Sequence, residues 1–302
     1  MATNSEEVQY LNLIKRVLEK GSYENTRNGL TKCVFGECMR FSLANGTIPL
    51  LTSKRVAWKT CFHELMWFLR GDTNNKHLQE KGVHIWDGNS TREFLDSRGL
   101  TDYPEGILGP IYGWQWRRWN EPYHAGNHTN GGGGGEPWVP RDQIQSLIND
   151  LKDPEKRSSR RLIVSAWNVE QIDQMALPPC HVMMQFHVRD GQYLSCALFQ
   201  RSGDIGLGVP FNIASYSFLT HILAKHCDLV AEEFVYFLGN AHMYESHIDP
   251  LKHQLEKANS LYKFPSIRIK EKRENIEDYG IQDIEWIDQY QYHDVIKMEF
   301  FA

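Results

Sequence analysis

The chain has 302 residues, 41% of them hydrophobic, and a formal net charge of −5. That length buries a sizeable core, in one large domain or two ordinary ones. No uncharged apolar run reaches the roughly 18 residues that suggest a membrane helix, and mixed charge of net acidic sign argues against a general nucleic-acid surface. Met1-Ala2-Thr3-Asn4-Ser5-Glu6-Glu7 has no basic region followed by an apolar run, so no signal peptide is expected. Six cysteines without a CxxC pair are expected to be reduced thiols in a cytoplasmic compartment.

Apolar spacing predicts an amphipathic helix over residues 5–20, with Tyr10, Ile14, Val17 and Leu18 on one face, a capping box from Asn4 and Glu7, and a stop at Gly21. A more apolar helix is predicted over 54–70, ending at Gly71. Its buried side is marked by Cys61, Phe62, Leu65, Met66 and Leu69, and Glu64 lies among them. Residues 120–138, with glycine at every position from 131 to 135, read as a surface loop. They lack the lysine and the strand–turn–helix setting of a phosphate-binding loop. Strands follow at 162–167, 181–188 and 193–200, joined by short turns that imply antiparallel pairing. Residues 211–227 are apolar nearly all round, which predicts a buried helix with Pro210 at its start. Further strands are predicted at 266–270 and 295–300. The sum is one α+β (α/β) domain over residues 1–302, with helices covering a mixed, mostly antiparallel sheet.

Five short segments carry chemistry. In Ala176-Leu177-Pro178-Pro179-Cys180-His181, two prolines fix the backbone just before a cysteine at a strand start. That arrangement can aim a nucleophile, although a lone cysteine is also commonly structural. In Gln200-Arg201-Ser202-Gly203-Asp204, the arginine can lower a thiol pKa and hold an anion, or pair structurally with the aspartate. Gly206-Leu207-Gly208-Val209-Pro210-Phe211-Asn212 lets a ligand approach the backbone closely, and Asn212 can read a flat hydrogen-bonding ring or cap a helix. The Arg160-Arg161 pair suits a phosphate. His242-Met243-Tyr244 can hold sugar hydroxyls. Strand alternation places His181 and His187 on one face and Cys180 on the other, with no further ligand at zinc spacing, which argues against a metal. An adjacent His181 is also badly placed to activate Cys180 as a protease nucleophile.

Taken together, segments 177–181, 200–204 and 207–216 and His242-x-Tyr244 resemble, in order and spacing, the signatures of the thymidylate synthase family. The resemblance runs from about residue 8 to the C-terminal end. It implies a thymidylate synthase-like fold and a homodimer. It also implies methylation of 2′-deoxyuridine 5′-monophosphate (dUMP) to dTMP, with 5,10-methylenetetrahydrofolate as one-carbon and hydride donor and no metal. On that resemblance Cys180 is the nucleophile at C6 of the ring. Arg27, Arg201 and Ser202 bind phosphate, with Arg160 and Arg161 reaching in from the partner subunit. Gln200, Asp204 and Asn212 contact the nucleotide, and His242 and Tyr244 hold the 3′-hydroxyl. Glu64 manages protons near O4, Tyr112 removes the C5 proton, and His181 and Asn168 belong to an ordered hydrogen-bond network. Trp86, Asn89, Asp204, Leu207, Gly208 and Phe211 match folate-contacting positions, as do Tyr244 and Ala302 at the closing tail.

The chain departs from the family pattern at four places: Ile107 and Asn240 stand where aspartate is usual, the Arg27 loop is one residue short, and the tail ends Phe300-Phe301-Ala302 without valine or isoleucine. The alternative within the family is a pyrimidine nucleotide hydroxymethylase, in which water quenches the same intermediate. A non-catalytic binding protein on this fold is a further alternative, opposed by the presence of Cys180, Arg201, Asn212, Glu64 and Tyr112 together.

Overall fold

A computed structural model describes residues 4–124 and 141–301. The first element is helix α1 (Ser5–Lys20), whose N-terminus is capped by the Asn4 side chain accepting the Glu7 amide. Half of the expected capping box is therefore absent. Instead of returning to Asn4, the Glu7 carboxylate is buried and accepts from the Thr52 and Ser53 amides and the Thr52 hydroxyl, at 2.7 to 2.9 Å. This ties α1 to the segment leading into helix α2 (Trp58–Leu69).

Between them lie strands β1 (Ser22–Thr26) and β2 (Gly29–Ser42), a hairpin whose tip carries Arg27. Neither strand stands out in the sequence. Helix α2 begins four residues later than its apolar pattern predicts, because the preceding backbone pairs with the C-terminal segment: Lys54 forms a parallel bridge to Asp294, and the Arg55 amide donates to the Asp294 carbonyl at 2.7 Å. Four short helices follow, α3 (Asn75–Gln79), α4 (Asp87–Ser90), α5 (Arg92–Ser97) and α6 (Tyr112–Arg117). Of the glycine-rich stretch expected at 120–138, residues 125–138 lie outside the described residues, and 121–124 form no regular element. Trp119 and Arg141, on either side of it, pair in an antiparallel bridge.

After α7 (Gln143–Lys152) come β3 (Ile163–Ser165), β4 (His181–Arg189) and β5 (Tyr193–Asp204), the buried helix α8 (Gly208–His226) and the long strand β6 (Val230–Tyr244). The six-stranded sheet has the order β1-β2-β6-β5-β4-β3. Every neighbouring pair is antiparallel except β5 and β6. That exception follows from α8, since parallel neighbours need a crossover of this length. Helix α8 packs between the sheet and α2, so nearly every residue is buried, and two of its hydroxyls bond the helix's own backbone. The Ser217 and Thr220 hydroxyls donate to carbonyls one turn back, both at 2.7 Å.

A β-bulge between His181 and Met183 inserts one extra residue into β4 and reverses the phase of what precedes it. His181 therefore points into the core side while His187 is exposed. They share no face, contrary to simple alternation. Helix α9 (Ile248–Leu255) packs on α1, and β7 (Ile267–Ile269) pairs with β8 (Ile284–Trp286) in a separate two-stranded sheet. No strand forms over the predicted 295–300, where the chain lies along the rest of the fold without a ladder partner. Among the described residues no helix is long and apolar enough to cross a membrane.

Replacing Glu7 with alanine strands two buried amides and a hydroxyl. It is expected to destabilise the protein by roughly 2–4 kcal/mol in urea unfolding, where a surface-like change under about 0.5 kcal/mol would contradict the tie.

Candidate active site

A cavity of about 1080 Å³ opens where the ends of β4, β5 and β6 meet the β1–β2 hairpin, the entry to α2 and the start of α8. Cys180 lies on its wall, immediately before β4. Pro178 and Pro179 have no N–H to offer the sheet, so their turn needs another tether. Arg201 supplies it: Nε donates to the Pro179 carbonyl and Nη2 to the Pro178 carbonyl, both at 2.9 Å, and the Arg201 amide donates to the Cys180 carbonyl at 2.9 Å. Arg201 forms no pair with Asp204, so the structural alternative for that segment is not realised. Its Nη1 donates to no described residue.

Position 239 must be glycine for this geometry, since a Cβ there would stand 2.7 Å from the Arg201 carbonyl oxygen. Burial pushes the Cys180 thiol up, while the Arg201 charge and the Tyr112 hydroxyl act in the opposite direction. The Tyr112 hydroxyl also accepts from the Cys180 amide at 2.9 Å, so it approaches the cysteine from the α6 side.

Behind the cysteine, His181 is enclosed by the rings of Tyr112 and Tyr216, at 5.1 and 5.2 Å between centroids. Burial drops its pKa to about 4 despite the opposing influence of the Asn212 side-chain oxygen as an acceptor, so the imidazole is neutral. Asn212 is the fifth residue of α8 and almost fully buried. It does not cap the helix, and its amide faces the cavity beside Cys180. Pro210 sits within the first turn rather than before it. Gln200 lines the cavity too, but its amide is engaged: it accepts from the Tyr236 hydroxyl at 2.6 Å and donates to the Ser202 carbonyl at 2.9 Å.

On the opposite wall, the Trp86 indole donates to Glu64 Oε1 at 2.7 Å. Burial raises the Glu64 pKa to about 7, which the Trp86 bond only partly offsets. Trp86, Asn89, Leu207, Gly208 and Phe211 line the wider part of the cavity. The Asn89 amide nitrogen is buried with no hydrogen-bond partner among the described residues.

At the floor, Asp204 accepts the Gly206 and Leu207 amides at 2.8 and 3.0 Å and lies 3.4 Å from His247. Burial opposes its ionisation, but His247, His242 and the Gly206 amide outweigh it and hold the carboxyl below its ordinary value. Sequence reasoning missed two members of this floor. Lys54, hidden in the supposed start of α2, is buried with Nζ donating to the Gly206 carbonyl, and burial lowers its pKa to about 8. His247 bonds the Glu299 carbonyl at 2.8 Å. No local pattern marks either; only the partners they meet do.

Arg27, Ser202, His242 and Tyr244 line the cavity as expected. Phe301 stacks on Tyr244 with centroids 3.9 Å apart, so the tail reaches the cavity; Ala302 lies outside the described residues. Asn168 is not brought to the site. It caps the turn at Val169–Gln174 and bonds Gln115, Asn120 and Gln171 at 2.8 to 3.2 Å. Its amide thus bonds side chains behind the site, and Asn168 does not line the cavity. Arg160 and Arg161 are exposed ahead of β3 and do not line this chain's own cavity. Ile107 is buried away from the cavity in a bridge to Asn74.

The sequence profile of thymidylate synthases matches residues 8–302. The chain belongs to the thymidylate synthase family. It is 49% identical over 298 residues to a bifunctional dihydrofolate reductase-thymidylate synthase of Leishmania major, covering 98% of this chain and 55% of that protein. A thymidylate synthase of Ascaris suum is 47% identical over 282 residues, 93% of this chain and 92% of the relative. The bifunctional protein of Zea mays is 46% identical, with 54% of its length matched. The chain thus spans about half the length of the bifunctional relatives. The hydroxymethylase alternative gains no support from these names.

The raised Glu64 pKa carries a stability signature. Between about 4.5 and about 7 the folded protein keeps a proton that the unfolded chain has released, so this group's contribution to stability falls as pH rises through that window. The full effect is roughly 3 kcal/mol. Glu64→Gln should therefore be more stable relative to wild type at about pH 8 than at about pH 5 in urea unfolding, and a pH-independent difference would contradict the shift.

Proposed function

We propose that this chain methylates dUMP at C5 to give dTMP, with 5,10-methylenetetrahydrofolate as co-substrate and Cys180 as the covalent nucleophile. The observation that carries this reading is the convergence, on one cavity wall, of Cys180, the Arg201 guanidinium above it and the buried Asn212 amide beside it. A cation beside a thiol favours the nucleophilic thiolate, and a buried amide at a cavity wall selects one hydrogen-bonding edge of a planar ring.

In this reading the Cys180 sulfur forms a bond to C6, and the ring's C5–C6 electron pair moves toward C5 and O4. Glu64, poised near neutrality, supplies and recovers the proton at O4. C5 bonds to the one-carbon unit of the bound folate; Tyr112, placed against Cys180, takes the C5 proton as the carbon–nitrogen bond to the folate breaks. Hydride from the folate then adds to the exocyclic carbon, leaving dihydrofolate, while the C5–C6 double bond re-forms and the C6–S bond breaks to return the thiolate. The wider part of the cavity suits the folate: Trp86, Leu207 and Phe211 offer apolar faces, and the Asn89 amide is a buried donor awaiting an acceptor.

A homodimer with shared sites belongs to the same proposal. Across the face of the sheet turned away from α8, register aligns Cys38, Phe237, Phe199, Met183 and Ser165 in one row over five strands, and Phe199 and Phe237 are exposed. An apolar row of this kind favours a second copy as its cover. Arg160 and Arg161 then serve the partner's phosphate site. The six unpaired cysteines are consistent with a cytoplasmic setting.

Cys180→Ser is expected to lower turnover by at least about 10³-fold while dUMP still binds by calorimetry. Near-normal turnover would sink the covalent mechanism, and a hydroxymethyl product by mass spectrometry would replace the methylation reading. Mixing the inactive Cys180→Ser protein with an inactive double variant, Arg160→Ala and Arg161→Ala, should restore about a quarter of the sites through mixed dimers. No recovery after exchange would refute shared sites.

A further inference from the structure

Asn240 has no part in the chemistry above, yet it lines the cavity where the family usually has aspartate. It stands on β6 two residues before His242. Its side-chain oxygen is 3.0 Å from His242 Nδ1, its backbone carbonyl faces the same ring, and its amide reaches Cys33 on β2. Both oxygens can only accept, so Nδ1 carries the hydrogen and Nε2 is left with its lone pair. Nε2 bonds no described residue, and the ring of Tyr244 stands edge-on to His242 with centroids 5.5 Å apart.

We propose that Asn240 is a positioning residue that holds the ring hydrogen of His242 on Nδ1, so that Nε2 accepts a hydrogen bond from a sugar hydroxyl of the nucleotide. This rests on the nucleotide reading above. A hydroxyl donates once and also accepts, so it fits between an imidazole acceptor and the Tyr244 O–H. A cationic His242 would offer only donors.

The surroundings explain why an uncharged residue at 240 matters. His242 is faced by Asp204 from β5, Glu24 from β1, His247 from the turn after β6 and, across the ladder, Cys33 from β2. Burial, the largest influence, and His247 lower its pKa, and Asp204, the Asn240 backbone carbonyl and Glu24 raise it, with the lowering side ahead. A carboxylate at 240 would add a negative charge within hydrogen-bond distance and shift that balance toward the cation.

The test uses the full chain with ¹⁵N-labelled histidine, assigning His242 by the signal lost in His242→Gln. The wild-type spectrum should show a neutral ring at neutral pH, protonated at Nδ1 and bare at Nε2. In N240D the midpoint of the His242 titration should move upward. The KM for dUMP should then vary about threefold or more between about pH 6 and pH 8, with kcat changing less. An Nε2-protonated or cationic wild-type His242 overturns the proposal, as does an N240D midpoint equal to wild type. The wild-type spectrum decides even if N240D does not fold. Absence of turnover on dUMP would instead count against the functional reading, leaving the ring's protonation still measurable.

Discussion

The site depends on one tether. Two prolines place Cys180 at a strand start but leave the turn without backbone donors, and the Arg201 guanidinium fills that need from the neighbouring strand. The same group puts a positive charge beside a thiol that burial would otherwise keep protonated. Structure and reactivity are thus carried by one side chain. Removing it would release the turn and raise the barrier to thiolate formation together. Glycine at 239 belongs to this constraint, because only a residue without Cβ lets β6 run so close to the Arg201 backbone.

Burial distributes protons across the rest of the cavity. It lifts Glu64 to about 7 and lowers His181 to about 4 and Lys54 to about 8. A carboxyl near neutrality can give and take protons, a neutral imidazole can only share hydrogen bonds, and on the floor Asp204 is held below its ordinary value while the neighbouring carboxylate moves His247 above its own. Different duties for similar groups follow from enclosure rather than from residue type. Part of that enclosure comes from α8, which is buried nearly all round because the sheet and α2 both cover it.

Much of the architecture was legible along the chain. The periodicity of α1, the all-round apolar character of α8 and the alternation of β4 and β5 each follow from local patterns, and each element is present. The long strands β2 and β6 escaped notice. Their pairing gives them their character, and residues such as Glu232, Glu233 and Arg40 dilute an apolar signal. The start of α2 was misplaced because Lys54 and Arg55 pair with a segment about 240 residues away, and no helix propensity can register such a partner.

What the sequence determined by itself was the chemical inventory and its order: Pro178-Pro179-Cys180, Arg201, Asn212 and His242-x-Tyr244, at spacings that identify the family. Only the tertiary structure decided how these groups behave. The bulge in β4 turned His181 inward, Asn168 went to a structural cluster with Gln115, and Lys54 and His247 joined Asp204. The reason is physical. Residue identity and periodicity are properties of neighbours along the chain, whereas protonation, desolvation and hydrogen-bond partnership are sums over atoms brought together from distant segments.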